Sequence, residues 1–301
     1  ISSSVVTVGS RTYTAWDVSN VINFNSMFYK ADTFNKPIGN WKINTGSNVN
    51  FGSLFYSANT FNQEISSSIV TVGSNTYTAW NTKKVTDFSG VFYNTTFSKD
   101  ISNWNTVSGS TMFQMFRDTL YNQPINTNQV TIGSETYNAW DTKNVTNFQE
   151  MFYRNTAFNQ SVSNWNTSAA TTLMRMFAGS NGIFNTFNQP IKTNQVTVGG
   201  ETYNAWDVSN VNSFNYLFEY NSSFNQPIGN WQLNTGSNIQ SIYMFRSSPF
   251  NQDISSSIVT VGSNTYTAWD TQKVTSFAYM FLASTAFNKP IGNWNTSNST
   301  N

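Results

Sequence analysis

Four aspartates, Asp17, Asp141, Asp207 and Asp270, each follow a tryptophan, and clustered carboxylates are what a sugar-cleaving repeat enzyme would use. In the fifth copy of that position Asn81 stands instead. An acid that recurs once per repeat at the start of a turn is most simply an Asx-turn or cap, its carboxylate accepting from backbone N–H groups just ahead. The other acids (Glu64, Asp87, Asp100, Asp118, Glu150, Glu219 and Asp253) are scattered singly along the chain. There is no histidine and no cysteine, so neither a catalytic triad nor a metal site can be assembled from familiar parts. The expectation is a protein that is not an enzyme, with no catalytic residue, cofactor or metal.

Two further residue types recur in rows. Trp16, Trp41, Trp80, Trp104, Trp140, Trp165, Trp206, Trp231, Trp269 and Trp294 occupy one repeat position. A stripe of exposed tryptophans would make a carbohydrate platform, whereas a residue present in every repeat is expected in the core. Asn35, Asn62, Asn122, Asn159, Asn188, Asn225, Asn251 and Asn288 follow a recurring aromatic, with Ser98 breaking the row. They could line a glycan-binding surface. Stacked in register, their amides are expected to satisfy turn backbone groups from one repeat to the next.

The elements that must position these rows are copies of one unit. A Met-Phe or similar pair recurs nine times, its second residue being Phe28, Phe55, Phe92, Phe116, Phe152, Phe177, Phe218, Phe245 and Phe281. After each comes the aromatic, and four residues further on always Ile or Val. Phe24, Met27, Phe28 and Ala31 fall at i, i+3, i+4 and i+7, which predicts a short helix with one inward face. Pro37 to Trp41 reads as a short strand. The expectation is an α/β solenoid of leucine-rich-repeat-like coils, with parallel strands and short helices. Residues 1–301 would form one such domain of nine to ten coils, in pairs of about 63 residues.

Pairs arise because the distance from Ile or Val to Trp takes two values, 3 and 15, so alternate coils carry a 12-residue insertion of fixed length. The copy from Ile69 to Trp80 reads as a β-hairpin with Ser74-Asn75 as its loop, Val72 facing Tyr77 and Thr71 facing Thr78. Successive hairpins, about 9.6 Å apart, would then bond edge to edge as a second sheet. The segment Gly179 to Asn185 widens one coil on the loop side. Because the chain opens and closes in mid-coil, it reads as part of a longer array, or as a unit that meets other copies end to end.

Charged residues make up 10% of the chain and the formal net charge is +1, which argues against nucleic acid and against electrostatic membrane binding. No apolar run reaches transmembrane length. Asn-X-Ser/Thr sequons occur at Asn94, Asn144, Asn159, Asn166, Asn221, Asn295 and Asn298, and matter only in a secreted, glycosylated protein.

The residues WDTKNVTNFQEMFYRNTAFNQSVSNWNT, Trp140 to Thr167, resemble the BspA-like leucine-rich-repeat family, in the branch found in mycoplasma surface lipoproteins and other microbial or viral surface proteins. The resemblance covers nearly the whole chain, although the alternating hairpin is not part of the family's basic pattern. It implies display at a cell surface, outside the cell or on a virion, and attachment to host or matrix proteins or glycans; it offers no catalytic residues. The functional expectation is a non-enzymatic structural or adhesive repeat protein, surface-displayed or assembled head to tail. The alternatives are a glycan-binding module and, from the threonines Thr7, Thr12, Thr14, Thr71, Thr76 and Thr78, an ice-binding surface.

Overall fold

Around each Met-Phe pair the backbone alternates between bonding to itself and bonding to its neighbour. Phe24, Ser26, Phe28 and Lys30 donate their N–H groups to Asn50, Gly52, Leu54 and Tyr56 of the next repeat, at 2.7–2.9 Å. Met27, Tyr29 and Ala31, between them, bond back to Phe24, Ser26 and Phe28 at 3.1 Å. This alternation requires a left-handed residue every fourth position: Ser26 at φ 58° and Lys30 at φ 55° here, then Ser53 with Ser57, Gln114 with Asp118, Glu150 with Arg154, and Tyr243 with Ser247. Each such non-glycine residue costs roughly 1–2 kcal/mol, offset by a backbone donor satisfied in the next repeat.

The computed structural model of the chain describes residues 1–300; Asn301, the last residue of the expected single domain, lies outside the described residues. The expected α/β solenoid of leucine-rich-repeat-like coils is overturned. Among the described residues there is no α-helix; the one helical element is a 3₁₀ turn, Thr271–Lys273. The i, i+3, i+4, i+7 pattern belongs instead to the four-residue period of the turn ribbon, which turns Phe24 and Phe28 inward and leaves Met27 exposed. An α-helix would spend its N–H groups within the segment, leaving no regular backbone link between repeats. The segment Pro37 to Trp41 is not a strand either, but irregular chain closed by a Trp41 N–H bond to the Ile38 carbonyl at 3.1 Å.

Strand structure lies almost wholly in five antiparallel hairpins: Ser4–Val8 with Arg11–Ala15, Ser68–Val72 with Asn75–Ala79, Asn128–Ile132 with Glu135–Ala139, Asn194–Val198 with Glu201–Ala205, and Ser257–Val261 with Asn264–Ala268. Parallel pairing is confined to two short pairs, Val49–Asn50 with Val85–Asp87 and Ile239–Gln240 with Val274–Ser276, and to isolated bridges such as Asp87 to Thr111. The hairpin loop is Gly73-Ser74, one residue earlier than the spacing suggested, so Val72 pairs Asn75, Thr71 pairs Thr76 and Val70 pairs Tyr77. Gly73 takes φ 62° at the first loop position, which a Cβ would disfavour.

The second sheet does not form, because each hairpin pairs only with itself. Side chains fill the space between hairpins: the turn of one lies over the previous one, so that a Cβ on Gly73 would come within 2.7 Å of Val5 and one on Gly133 within 3.0 Å of Ile69. Each later hairpin is tied to the repeat before it by its tyrosine, the hydroxyls of Tyr77, Tyr137, Tyr203 and Tyr266 donating to the carbonyls of Asn40, Asn103, Asn164 and Asn230 at 2.5–2.6 Å. Burial pushes the Tyr203 phenol up to about 12. Because the folded value lies above the unfolded value of roughly 10, its contribution is complete below pH ~10 and is lost as pH rises through about 12. Melting temperature followed from pH 9 to 12 should therefore fall, and fall less steeply in Tyr203→Phe, which loses the hydroxyl bond but has nothing to titrate.

The core is a set of stacked rings. Phe28, Phe55, Phe92, Phe116 and Phe152 follow one another with centroids 5.6–6.0 Å apart. One phenol interrupts the apolar columns. Tyr121 stands where eight other repeats carry Phe, fully buried, and its hydroxyl, near the Ile101 backbone, makes no well-formed hydrogen bond among the described residues. Burial pushes its pKa well above the ordinary range. An unsatisfied buried hydroxyl costs about 1–3 kcal/mol, so Tyr121→Phe should stabilise the chain by about 1 kcal/mol in urea unfolding. A loss of stability would mean that the hydroxyl has a partner after all.

Candidate binding face

The residues that recur in every repeat are occupied with holding repeats together. Trp41 through Trp269 are buried, while Trp16 is 45% exposed and Trp294 is partly buried. From Trp41 onward every indole N–H donates to the carbonyl of the Ile or Val that precedes it by one repeat, at 2.7–3.0 Å. With both ring faces covered by neighbours, as for Trp80 between Trp41 and Trp104, these residues offer no platform to a sugar.

The asparagine row forms a ladder. The side-chain oxygens of Asn35, Asn122, Asn159, Asn188, Asn225 and Asn251 accept from the backbone of Asn62, Asn159, Asn188, Asn225, Asn251 and Asn288, at 2.8–3.0 Å. Asn62 accepts from Ser98 in the same way. Asp17, Asp141, Asp207 and Asp270 each accept from the N–H two residues ahead at 3.0–3.1 Å, and so does Asn81 at 3.2 Å.

What does not repeat is gathered on the surface flanking the Met-Phe pairs. Tyr29, Tyr56 and Tyr93 stack at 4.8 and 4.1 Å. Arg117 continues the column, 5.2 Å from the Tyr93 ring and 4.7 Å from that of Tyr153. Arg175 follows at 5.9 Å from Tyr153 and 4.2 Å from Tyr216, and Tyr243 and Tyr279 complete it at 5.2 and 4.8 Å. Burial and the hydrogen bond with Tyr93 push the Tyr56 phenol up to about 12.

In the middle of this column lie acids that the sequence shows only as isolated residues. Glu150, 6% exposed, binds Arg117 Nη1, receives Gln114 Nε2 at 2.7 Å and lies 3.6 Å from Arg175. Asp118 lies 2.7 Å from Arg154 Nε and 3.3 Å from Arg117 Nε. Burial works against the Arg117 charge, but the Glu150 carboxylate and its other neighbours outweigh it and raise its pKa. Glu219 pairs with Arg246 at 2.9 Å, yet burial still holds its carboxyl above the usual range. Among the described residues no three His, Cys, Asp or Glu side chains come together as a metal site.

Beside the Asp118–Arg154 pair opens a cleft of about 600 Å³, lined by Asn59, Asn94, Ser98, Asp118, Leu120, Arg154, Thr156 and Ile183 among others. Its origin is a spacing. From the second residue of the Met-Phe pair to the next aromatic is six residues in most repeats, but five at Phe92–Phe97, Phe116–Tyr121 and Phe245–Phe250, and ten at Phe177–Phe187. Two adjacent short corners recede while the long one, bent by the Ser180–Ile183 bridge, stands out as a wall. Gly179 allows that bend, since a Cβ there would come within 2.3 Å of the Ile183 carbonyl oxygen. The lengths were visible in the sequence; only their neighbourhood in space makes them a cleft.

No helix among the described residues is long and apolar enough to cross a membrane. No curated protein and no solved structure matches the chain significantly. One family does, over residues 10–75, 70–138, 200–267 and 262–301, well over half of the sequence. This chain, with its repeated Trp, Met-Phe and Phe-Asn units, therefore belongs to the mycoplasma-type repeat family described as "Mycoplasma protein of unknown function, DUF285".

Proposed function

We propose that this is a non-enzymatic, extracellular repeat protein, displayed at a cell or virion surface, that adheres through the face carrying the tyrosine–arginine column and the cleft. The observation that carries the reading is the division of labour between residues: those that repeat are engaged in links between repeats, and those that vary concentrate on one face. The likeness to BspA-like surface repeats supports the same location. Adhesion should be measured with the chain coupled to beads over a host-cell monolayer. Leu120→Ser with Phe184→Ser alters two exposed side chains of that face, 69% and 46% exposed, and should lower retention severalfold; Ile258→Ser, 71% exposed on a hairpin, should not. Equal retention by all variants, or none by the parent chain, would sink the proposal.

Ice binding is a second reading with a specific observation behind it. Thr7–Thr12, Thr71–Thr76, Thr131–Thr136, Thr197–Thr202 and Thr260–Thr265 are exposed cross-strand pairs with hydroxyls 2.8–2.9 Å apart. Each pair occurs only in alternate repeats, and such pairs stabilise a hairpin in any case. Thermal hysteresis of the purified chain decides it.

A further inference from the structure

We propose that the cleft beside Asp118 and Arg154 binds an acidic saccharide, the sugar carboxylate lying on the Arg154 guanidinium. The inference rests on the adhesive reading and names the ligand class of that face.

Most of the cleft's polar atoms are already engaged within the protein. Thr96 Oγ1 donates to the Asn59 carbonyl at 2.8 Å, Thr119 Oγ1 to the Phe116 carbonyl at 2.8 Å, and Asn94 Nδ2 to Ser57 Oγ at 3.3 Å. The exceptions sit together. Arg154 Nε lies 2.7 Å from Asp118 Oδ1, but its N–H is not aimed along that line, and neither terminal guanidinium nitrogen has a hydrogen-bond partner among the described residues. Thr156, two residues further on and exposed, has a hydroxyl with no partner among them either. The charges around it are unbalanced in the same sense, the guanidinium groups of Arg117, Arg154 and Arg175 facing the carboxylates of Asp118 and Glu150. A forked guanidinium with both terminal nitrogens open is a carboxylate site.

A carboxylate alone would be met by donors alone. This cleft also presents an acceptor, the Asn94 side-chain oxygen, which suits a ligand whose hydroxyls donate, whereas the Ser98 hydroxyl is engaged with the Asn62 amide at 3.2 Å. Leu120 and Ile183 supply apolar wall for the C–H face of a ring. A volume of about 600 Å³ falls within the ordinary range for small-ligand pockets of roughly 300–1,000 Å³. An aspartate or glutamate of a peptide would use the fork and leave that acceptor idle.

The test is calorimetric titration of the full chain with a hexuronate oligosaccharide, its neutral hexose counterpart and a glutamate-rich peptide. The hexuronate should bind at least about tenfold more tightly than either of the others, the value of one charge-assisted contact. Arg154→Gln should abolish that preference, Arg154→Lys should not restore it because the fork is lost, and Thr156→Val should weaken binding severalfold, each with an unchanged melting temperature. If Arg154→Gln perturbs folding, Thr156→Val alone decides. Equal binding of the neutral sugar, tighter binding of the peptide, or hexuronate affinity indifferent to Arg154→Gln and Thr156→Val would overturn the inference. Bead adhesion that survives Arg154→Gln but is lost in the Leu120/Phe184 variant would overturn it while leaving the adhesive reading standing.

Discussion

Trp80→Ala should destabilise the chain by about 4 kcal/mol, whereas Trp16→Ala should cost no more than about 1 kcal/mol. Trp80 is fully buried, its ring lies between Trp41 at 6.3 Å and Trp104 at 6.1 Å, and its indole N–H reaches the Ile38 carbonyl at 2.8 Å. Truncation removes one member of a continuous stack, leaves a cavity bounded by two rings that cannot collapse, and strands a carbonyl. Trp16 belongs to the same repeat position and is stacked on Trp41, but 45% of it is in solvent. Trp80→Phe separates the contributions: it keeps most of the ring and loses the N–H, for about 1–2 kcal/mol. Urea unfolding followed by circular dichroism and by fluorescence would measure all three. Because repeats contact mainly their neighbours, the two probes should be compared before one free energy is assigned. Equal losses at Trp80 and Trp16 would show that the column is not where stability resides.

Glu150→Leu should be nearly as damaging, at about 3–5 kcal/mol, although the side chain is replaced by one of similar volume. The carboxylate is the shared partner of Arg117, Arg175 and Gln114 in a site with little access to water. Without it Arg175 loses its ion-pair partner and Arg117 keeps only Asp118, which it shares with Arg154, so two guanidinium groups stacked on tyrosine rings face each other under-compensated and one must leave the column. Arg117→Met in the same chain should recover much of the loss, because an apolar replacement of the whole pair removes the stranded charge together with the acid. A loss below about 1 kcal/mol for Glu150→Leu would place the pair among ordinary surface ion pairs. Tyrosine fluorescence of the column provides a second readout, since a departing Arg117 exposes Tyr93 and Tyr153.

The sequence by itself determined which residues face inward, that the unit repeats in pairs, and that a hairpin of constant length is inserted in every second one. These follow from composition at fixed spacing, because a buried ring and a two-residue loop each restrict their own position whatever the surroundings. The Asx turns after each tryptophan were legible for the same reason, being bonds between a side chain and backbone two residues away. Tertiary structure decided where the backbone hydrogen bonds go. Phe24 and Phe28 turn inward equally well on a helix or on a ribbon of turns, and what separates the two is whether the Phe24 N–H finds a partner in its own segment or at Asn50 of the next repeat. That partner is 26 residues away, so no local pattern encodes it. The hairpin row is similar: equal spacing permitted strand pairing, but the tyrosine hydroxyls and turn glycines hold the hairpins so that side chains meet instead. The cleft and the Glu150 cluster lay furthest from view. They are made of departures from the repeat, a missing corner residue at Phe92 and Phe116 and single charges at 117, 118, 150, 154 and 175, and stacking alone brings such departures side by side.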